Sequence, residues 1–157
     1  MSKFSFKKIE ELNAVNLIFE GTIDESFGNV NLKLHQNKTT RIDFKKVSSI
    51  NSVGIRNWIH WLEDHIGVKF IFMNCPVCIV EQINNVKGFL PKEAVVESFF
   101  VPFYSESTGE EKLVLCTLYK EFQMGKPPKI PDVFDSEGNL MECDVYPKKY
   151  FKFILGV

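Results

Sequence analysis

Arg41-Ile42-Asp43-Phe44-Lys45-Lys46-Val47-Ser48-Ser49-Ile50-Asn51-Ser52-Val53-Gly54-Ile55 joins a short strand-like segment to the clearest helix of the chain. Arg41 to Val47 reads as the strand, closed by Ser48, Ser49, Ile50 and Asn51. Beyond it Ile55, Trp58, Ile59, Leu62 and Ile66 recur at the spacing of one face of a 3.6-residue helix. Ser52 stands ahead of that face, where a hydroxyl can accept a first-turn amide, and Gly67 is placed to stop the helix. Val68 to Met73 is then a nearly continuous apolar run, the pattern of a strand covered on both faces. Pro76 suits the first turn of a second helix bearing Val77, Val80, Ile83, Asn84 and Val86, which Gly88 and Pro91 end. Strand, helix, strand, helix with tight joints predicts a parallel βαβ arrangement.

Upstream, Phe4 to Ile9 alternates loosely, as an edge strand does, and Val15 to Glu20 is a second strand ended by Gly21. Thr22 to Ser26 is a polar turn. Phe27 to His35 is weakly helical or irregular, because Gly28 and nearby asparagines oppose helix formation. Downstream of Pro91 the texture becomes β-rich: Ala94 to Tyr104, Leu113 to Leu118 and Tyr150 to Leu155 read as strands. Gly125 to Pro131 and a turn at Asp135 to Asn139 separate them. The expectation is an α/β domain over residues 1–93, a mixed sheet with packed helices, followed by a small antiparallel β unit over 94–157.

Bulk numbers narrow the function. The chain has 157 residues, 45% of them hydrophobic and 25% charged, which is globular composition. A net charge of -1 with scattered Lys and Arg gives no footprint for nucleic acid, whose phosphates are met by massed cations. No run approaches the ~20 apolar residues that span a bilayer, and the N-terminal stretch has no continuous apolar signal core. The expected location is therefore the cytoplasm, away from membranes, with the four cysteines as reduced thiols.

The quoted stretch resembles the STAS domain family, which includes bacterial anti-sigma-factor antagonists. Asp43 matches the family's strand aspartate, and Asn51-Ser52-Val53-Gly54-Ile55 matches its Asp-Ser-Ser/Thr-Gly-Leu helix opening. Gly21-Thr22-Ile23-Asp24 looks like the family's Gly-Glu-Leu-Asp turn, and the likeness covers about residues 4–91. The resemblance implies a signalling module that binds protein and catalyses nothing, its partner a kinase-like anti-sigma factor. In the family the hydroxyl residue before the glycine is phosphorylated, and the added charge disrupts docking. Val53 occupies that position without a hydroxyl, and Asn51 replaces the usual aspartate, so loss of the phospho-switch is expected. Ser52 reads first as a cap, and as a phosphate acceptor only second. The expected partner-binding residues are Asp24, Asn51, Ser52, Val53, Gly54 and Trp61. Trp58 belongs to the apolar stripe and is assigned to the core, whereas Trp61 lies just off it and suits an interface.

Two other readings compete. Cys75-Pro76-Val77-Cys78 has the form of a redox motif opening a helix, although no cis-proline strand comes after it to complete a thioredoxin-like site. The Phe-rich C-terminal unit would suit a self-associating structural protein, leaving room for a homodimer. His35, His60 and His65 form no catalytic set with a nucleophile, and Asp24, Asp43 and Glu63 are dispersed. No cofactor is implied. One Cys-x-x-Cys supplies two ligands where a closed zinc site needs four, so no metal is expected. The turns Tyr104 to Gly109 and Phe134 to Gly138 nonetheless resemble the two knuckles of a zinc ribbon. Ser105, Thr108, Phe134 and Glu137 would stand where its cysteines were, and ordinary Gly-containing turns are an equal reading. On the ribbon reading Phe99, Phe100, Phe103, Phe134, Phe151 and Phe153 supply by packing the stability that metal gave.

Overall fold

In a computed structural model, residues 3–156 are described. A mixed sheet has the order β1 (Ser5–Glu10), β2 (Ala14–Ile23), β3 (Thr39–Ile50), β4 (Lys69–Met73) and β5 (Val95–Val96). β1 runs antiparallel to β2, while the other neighbours are parallel. Parallel neighbours need crossovers, which α1 (Ser52–Glu63) supplies between β3 and β4 and α2 (Val77–Asn85) between β4 and β5. A second, antiparallel sheet has the order β7 (Glu111–Thr117), β6 (Ser98–Tyr104), β8 (Glu142–Cys143). The expected class, α/β with packed helices and a small antiparallel β unit, is the class observed. Among the described residues no helix is long and apolar enough to cross a membrane.

Alternation fills the core. Val15, Leu17 and Phe19 of β2, Ile42 and Phe44 of β3, and Phe70 and Phe72 of β4 are buried, while residues between them are half-buried or exposed. Trp58 of α1 plugs this layer, its ring 5.8–6.2 Å from those of Phe19, Phe44 and Phe72. Its Nε1 donates to Phe89 O at 2.9 Å, so the one polar atom of a fully buried ring is satisfied.

Several expectations need correction. Instead of being covered on both faces, β4 leaves Ile71 and Met73 only half-buried, so one face alone meets the core. α1 stops at Glu63, and Ile66 leaves the stripe to stand 76% exposed in a turn closed by Gly67 at φ 92°. Tyr150 to Leu155 is not a strand but two short helices, α3 (Pro147–Tyr150) and α4 (Lys152–Leu155). Tyr150, Phe151 and Ile154 are buried there, a spacing no strand provides. Asn84 of α2 holds the pair, donating to Tyr150 O at 2.8 Å and accepting from Phe153 N at 2.9 Å.

β5 lies beyond the expected boundary at 93/94 but pairs with β4. The two sheets then meet directly. Glu97 N donates to Phe72 O at 2.8 Å and Phe100 N to Cys75 O at 2.9 Å. One hydrophobic cluster runs from Phe4 through Ile79 and Phe99 to Ile154.

Candidate functional site

The candidate site is built where β2 and β3 end together. β3 carries two extra residues relative to β2, because Ile18 pairs with Asp43 but Glu20 with Lys46, and Gly21 with Val47 but Thr22 with Ser49. Such bulges bend and twist a strand, re-aiming the residues beyond them. Lys45 N donates to Asp43 Oδ1 at 2.9 Å at the first of them. Below the tip the hydroxyls of Thr22 and Ser49 bond each other at 3.0 Å.

Asn51, not Ser52, caps α1. Its Oδ1 accepts from Gly54 N at 2.8 Å, its backbone is extended, and its carbonyl receives Ile55 N at 2.9 Å. The expectation that Ser52 caps the helix is thereby corrected: Ser52 is the first helical residue, exposed to solvent. An amide side chain accepts this bond as well as a hydroxyl does.

Gly54 is buried, and a Cβ there would run into Ile23 O and the amide nitrogen of Asp24. Asn51 N also donates to Ile23 O, at 3.1 Å. The first turn of α1 therefore lies against the end of β2, and only glycine permits it. Asp24, next along, caps the 3-10 helix Glu25–Asn29 by accepting from Ser26 N at 2.9 Å and from the Ser26 hydroxyl. Those bonds, the hydroxyl's first, hold its carboxyl below the ordinary value.

Asp24, Asn51, Ser52, Val53 and Gly54 are thus brought into one tip, where Asn51 and Ser52 are exposed and Asp24 and Val53 half-buried. Trp61 does not belong to it. It is 8% exposed, its Nε1 donates to Leu32 O at 3.0 Å, and its ring lies 5.8 Å from Phe27 and from Phe70. The correction has a plain cause: Val30 to Leu34 folds over the helix edge that the stripe alone would leave open. Asn57 was missed. Its side chain packs on Gly28, tying the 3-10 helix to α1, and the absence of a side chain at Gly28 was the available signal.

The surroundings of the cysteine pair raise both thiols above the ordinary value. Cys75 is fully buried, and burial, with Asp43 nearby, pushes its thiol well above the ordinary value. Burial and Glu81 push Cys78 up to about 11. A nucleophilic thiol needs the opposite shift.

The two knuckle-like turns do converge, but through a residue not foreseen. The Ser105 and Thr108 hydroxyls both donate to Asp135 Oδ2, at 2.6 and 3.2 Å. Glu137 N and Asn139 N donate to Asp135 Oδ1, at 2.9 and 2.8 Å. Phe134 points outward at 47% exposure and Glu137 is exposed, correcting their expected places at the junction and Phe134's expected share in the packing. Phe99, Phe103 and Phe151 are buried, Phe100 and Phe153 are half-buried, and Phe122 lies 5.1 Å from Phe99. Among the described residues no group of three or more His, Cys, Asp or Glu is placed to hold a metal ion.

Fold and tip together define an α/β protein that presents a doubly capped turn at one end of a mixed sheet. No known family model matches the chain, and no curated protein matches it either.

Proposed function

We propose that this chain is a cytoplasmic, non-catalytic regulatory module of STAS-like kind that docks on a signalling protein, a kinase-like anti-sigma factor, through the tip at Asp24 and Asn51 to Gly54. One observation carries the reading: the first turn of α1 is exposed at Asn51 and Ser52 yet fixed from below by Gly54 against Ile23. A surface fixed before binding loses little conformational entropy when a partner arrives. With Val53 in place of a hydroxyl, the tip stays competent without a phosphorylation switch at that position.

The test is quantitative. The protein captured from the native cell is identified, then titrated calorimetrically against wild type, Val53→Asp and a distant control, Lys148→Asp. Val53→Asp places a charge in the contact and weakens binding at least tenfold, while the control binds as wild type does. Equal affinities for all three would move the surface elsewhere.

A further inference from the structure

The second sheet leaves one edge open. β7 lies at the end of the order β7-β6-β8, and its register against β6 is fixed from Ser98–Thr117 to Tyr104–Glu111. Leu118 N donates to Glu97 O and Ser105 N to Glu110 O, both at 2.8 Å. Antiparallel bonding alternates, so Lys112, Val114 and Cys116 turn their backbone groups towards β6. Glu111, Leu113, Leu115 and Thr117 turn theirs away. Thr117 is occupied, since its N–H donates to Glu121 Oε1 at 2.9 Å and its carbonyl accepts from Lys120 N and Glu121 N. Among the described residues no strand pairs with the groups of Glu111, Leu113 and Leu115. Leu113 is 62% and Leu115 40% exposed, beside the half-buried Pro102 and Phe100 opposite them on β6. An exposed apolar edge of this length is a template for another strand.

We propose that the occupant is a second copy of this chain, its β7 added antiparallel about a two-fold axis through Leu113. That register pairs Leu113 with the partner's Leu113 and Glu111 with the partner's Leu115. It uses every unpaired backbone group of the edge, six hydrogen bonds in all, and leaves Thr117 outside the pairing. The leucines of both copies then lie on one face, extending the strip begun by Phe100 and Pro102. Charge agrees with a self-pairing. Only the neutral Leu113 meets its own copy. The two Lys112, two residues apart along the ladder on the other face, each have the Glu110 carboxylate of their own copy at 3.6 Å. The two Glu111 carboxylates sit four residues apart, about 13 Å. That exceeds the ~8 Å screening length of physiological salt. The tip at Asn51 lies in the other sheet's half of the molecule and takes no part in this contact.

Sedimentation of the full chain from 1 to 200 μM, on the order of ordinary dimer affinities, reads the first arm. Wild type shifts from monomer to dimer over this range. Leu113→Pro removes the central outward N–H without touching the bonds to β6, and proline is tolerated on such an edge. It weakens dimerisation at least tenfold, as does Leu115→Lys. The second arm reads register: under mild oxidation Leu113→Cys gives a disulfide-linked dimer, whereas Leu115→Cys, ~13 Å from its copy, does not. A wild type monomeric at every concentration overturns the proposal. So does a dimer that both Leu113→Pro and Leu115→Lys leave intact, or one crosslinked through position 115 instead of 113.

Discussion

Gly54 and Ile23 touch backbone to backbone: a side-chain carbon at Gly54 would overlap the carbonyl oxygen of Ile23, to which Asn51 N already donates at 3.1 Å. The contact locks the start of α1 to the end of β2, and with it the geometry of the tip. Gly54→Ala cannot be absorbed by a rotamer change, because the obstacle is backbone. Forcing an extra methyl into a close-packed contact costs typically 1–3 kcal/mol, and this position belongs at or above about 3 kcal/mol. Urea unfolding followed by tryptophan fluorescence measures it. A loss under about 0.5 kcal/mol, the range of an ordinary surface change, would show that the strand end yields freely.

Asn51 contributes separately, as the cap of α1 through Gly54 N. Asn51→Ala leaves a first-turn amide without its acceptor and costs about 1 kcal/mol. Asn51→Asp keeps the acceptor and adds a negative charge at a helix N-terminus, where it is favoured. Its stability should equal or exceed wild type at neutral pH and fall below it in acid, as the new carboxylate protonates and the cap weakens. The same denaturation assay, run at pH 7 and pH 3, separates capping from bulk packing.

Where periodicity is strong, the sequence spoke clearly, and where distant segments decide, it did not. The stripe through Ile55, Trp58 and Leu62 marked α1, and Gly67 marked its turn, because both signals are local. The bulges of β3 depend on β2 lying beside it, so a segment read as Arg41 to Val47 proves to run from Thr39 to Ile50. Trp61 reads as outward-facing because Leu32, 29 positions away in another segment, supplies its cover and its acceptor. Tyr150 to Leu155 is rich in strand formers, yet Asn84 and the groove beside α2 select helix, tertiary contact overriding propensity. At the tip, Asp24 and Asn51 to Gly54 fall together because each belongs to a turn whose chemistry is local, although the cap proves to be Asn51 and not Ser52.

The hydrogen bonds converging on Asp135 predict acid sensitivity in the second sheet's turns. The Ser105 hydroxyl first, then the amides of Asn139 and Glu137, hold its carboxyl well below the ordinary range. A carboxylate whose folded value is depressed contributes stability that is present above about pH 4, its unfolded value, and is lost as pH falls towards the folded one. Asp135→Asn should melt lower than wild type at pH 7, and its melting temperature should fall less between pH 5 and pH 2. Scanning calorimetry over that window gives both slopes. Parallel slopes would place the acid sensitivity elsewhere, and elemental analysis finding stoichiometric zinc would replace this account of the turns altogether.

Cys75 and Cys78 allow the redox reading to be tested without a substrate. Alkylation requires thiolate, and a thiol at about 11, as Cys78 is, exposes far less of it at pH 8 than an ordinary cysteine does. The deficit is on the order of a hundredfold for a shift of that size, before access is considered. Cys75 adds complete burial, so its sulfur becomes reachable only when the loop between β4 and α2 opens. Iodoacetamide labelling of native protein, mapped by peptide mass spectrometry, should modify Cys78 slowly and Cys75 more slowly still. Both should accelerate to ordinary cysteine rates in denaturant. Rapid labelling of either residue in the native protein would mean an activated thiol at the head of α2, and catalysis there would then have to be weighed against docking at the tip.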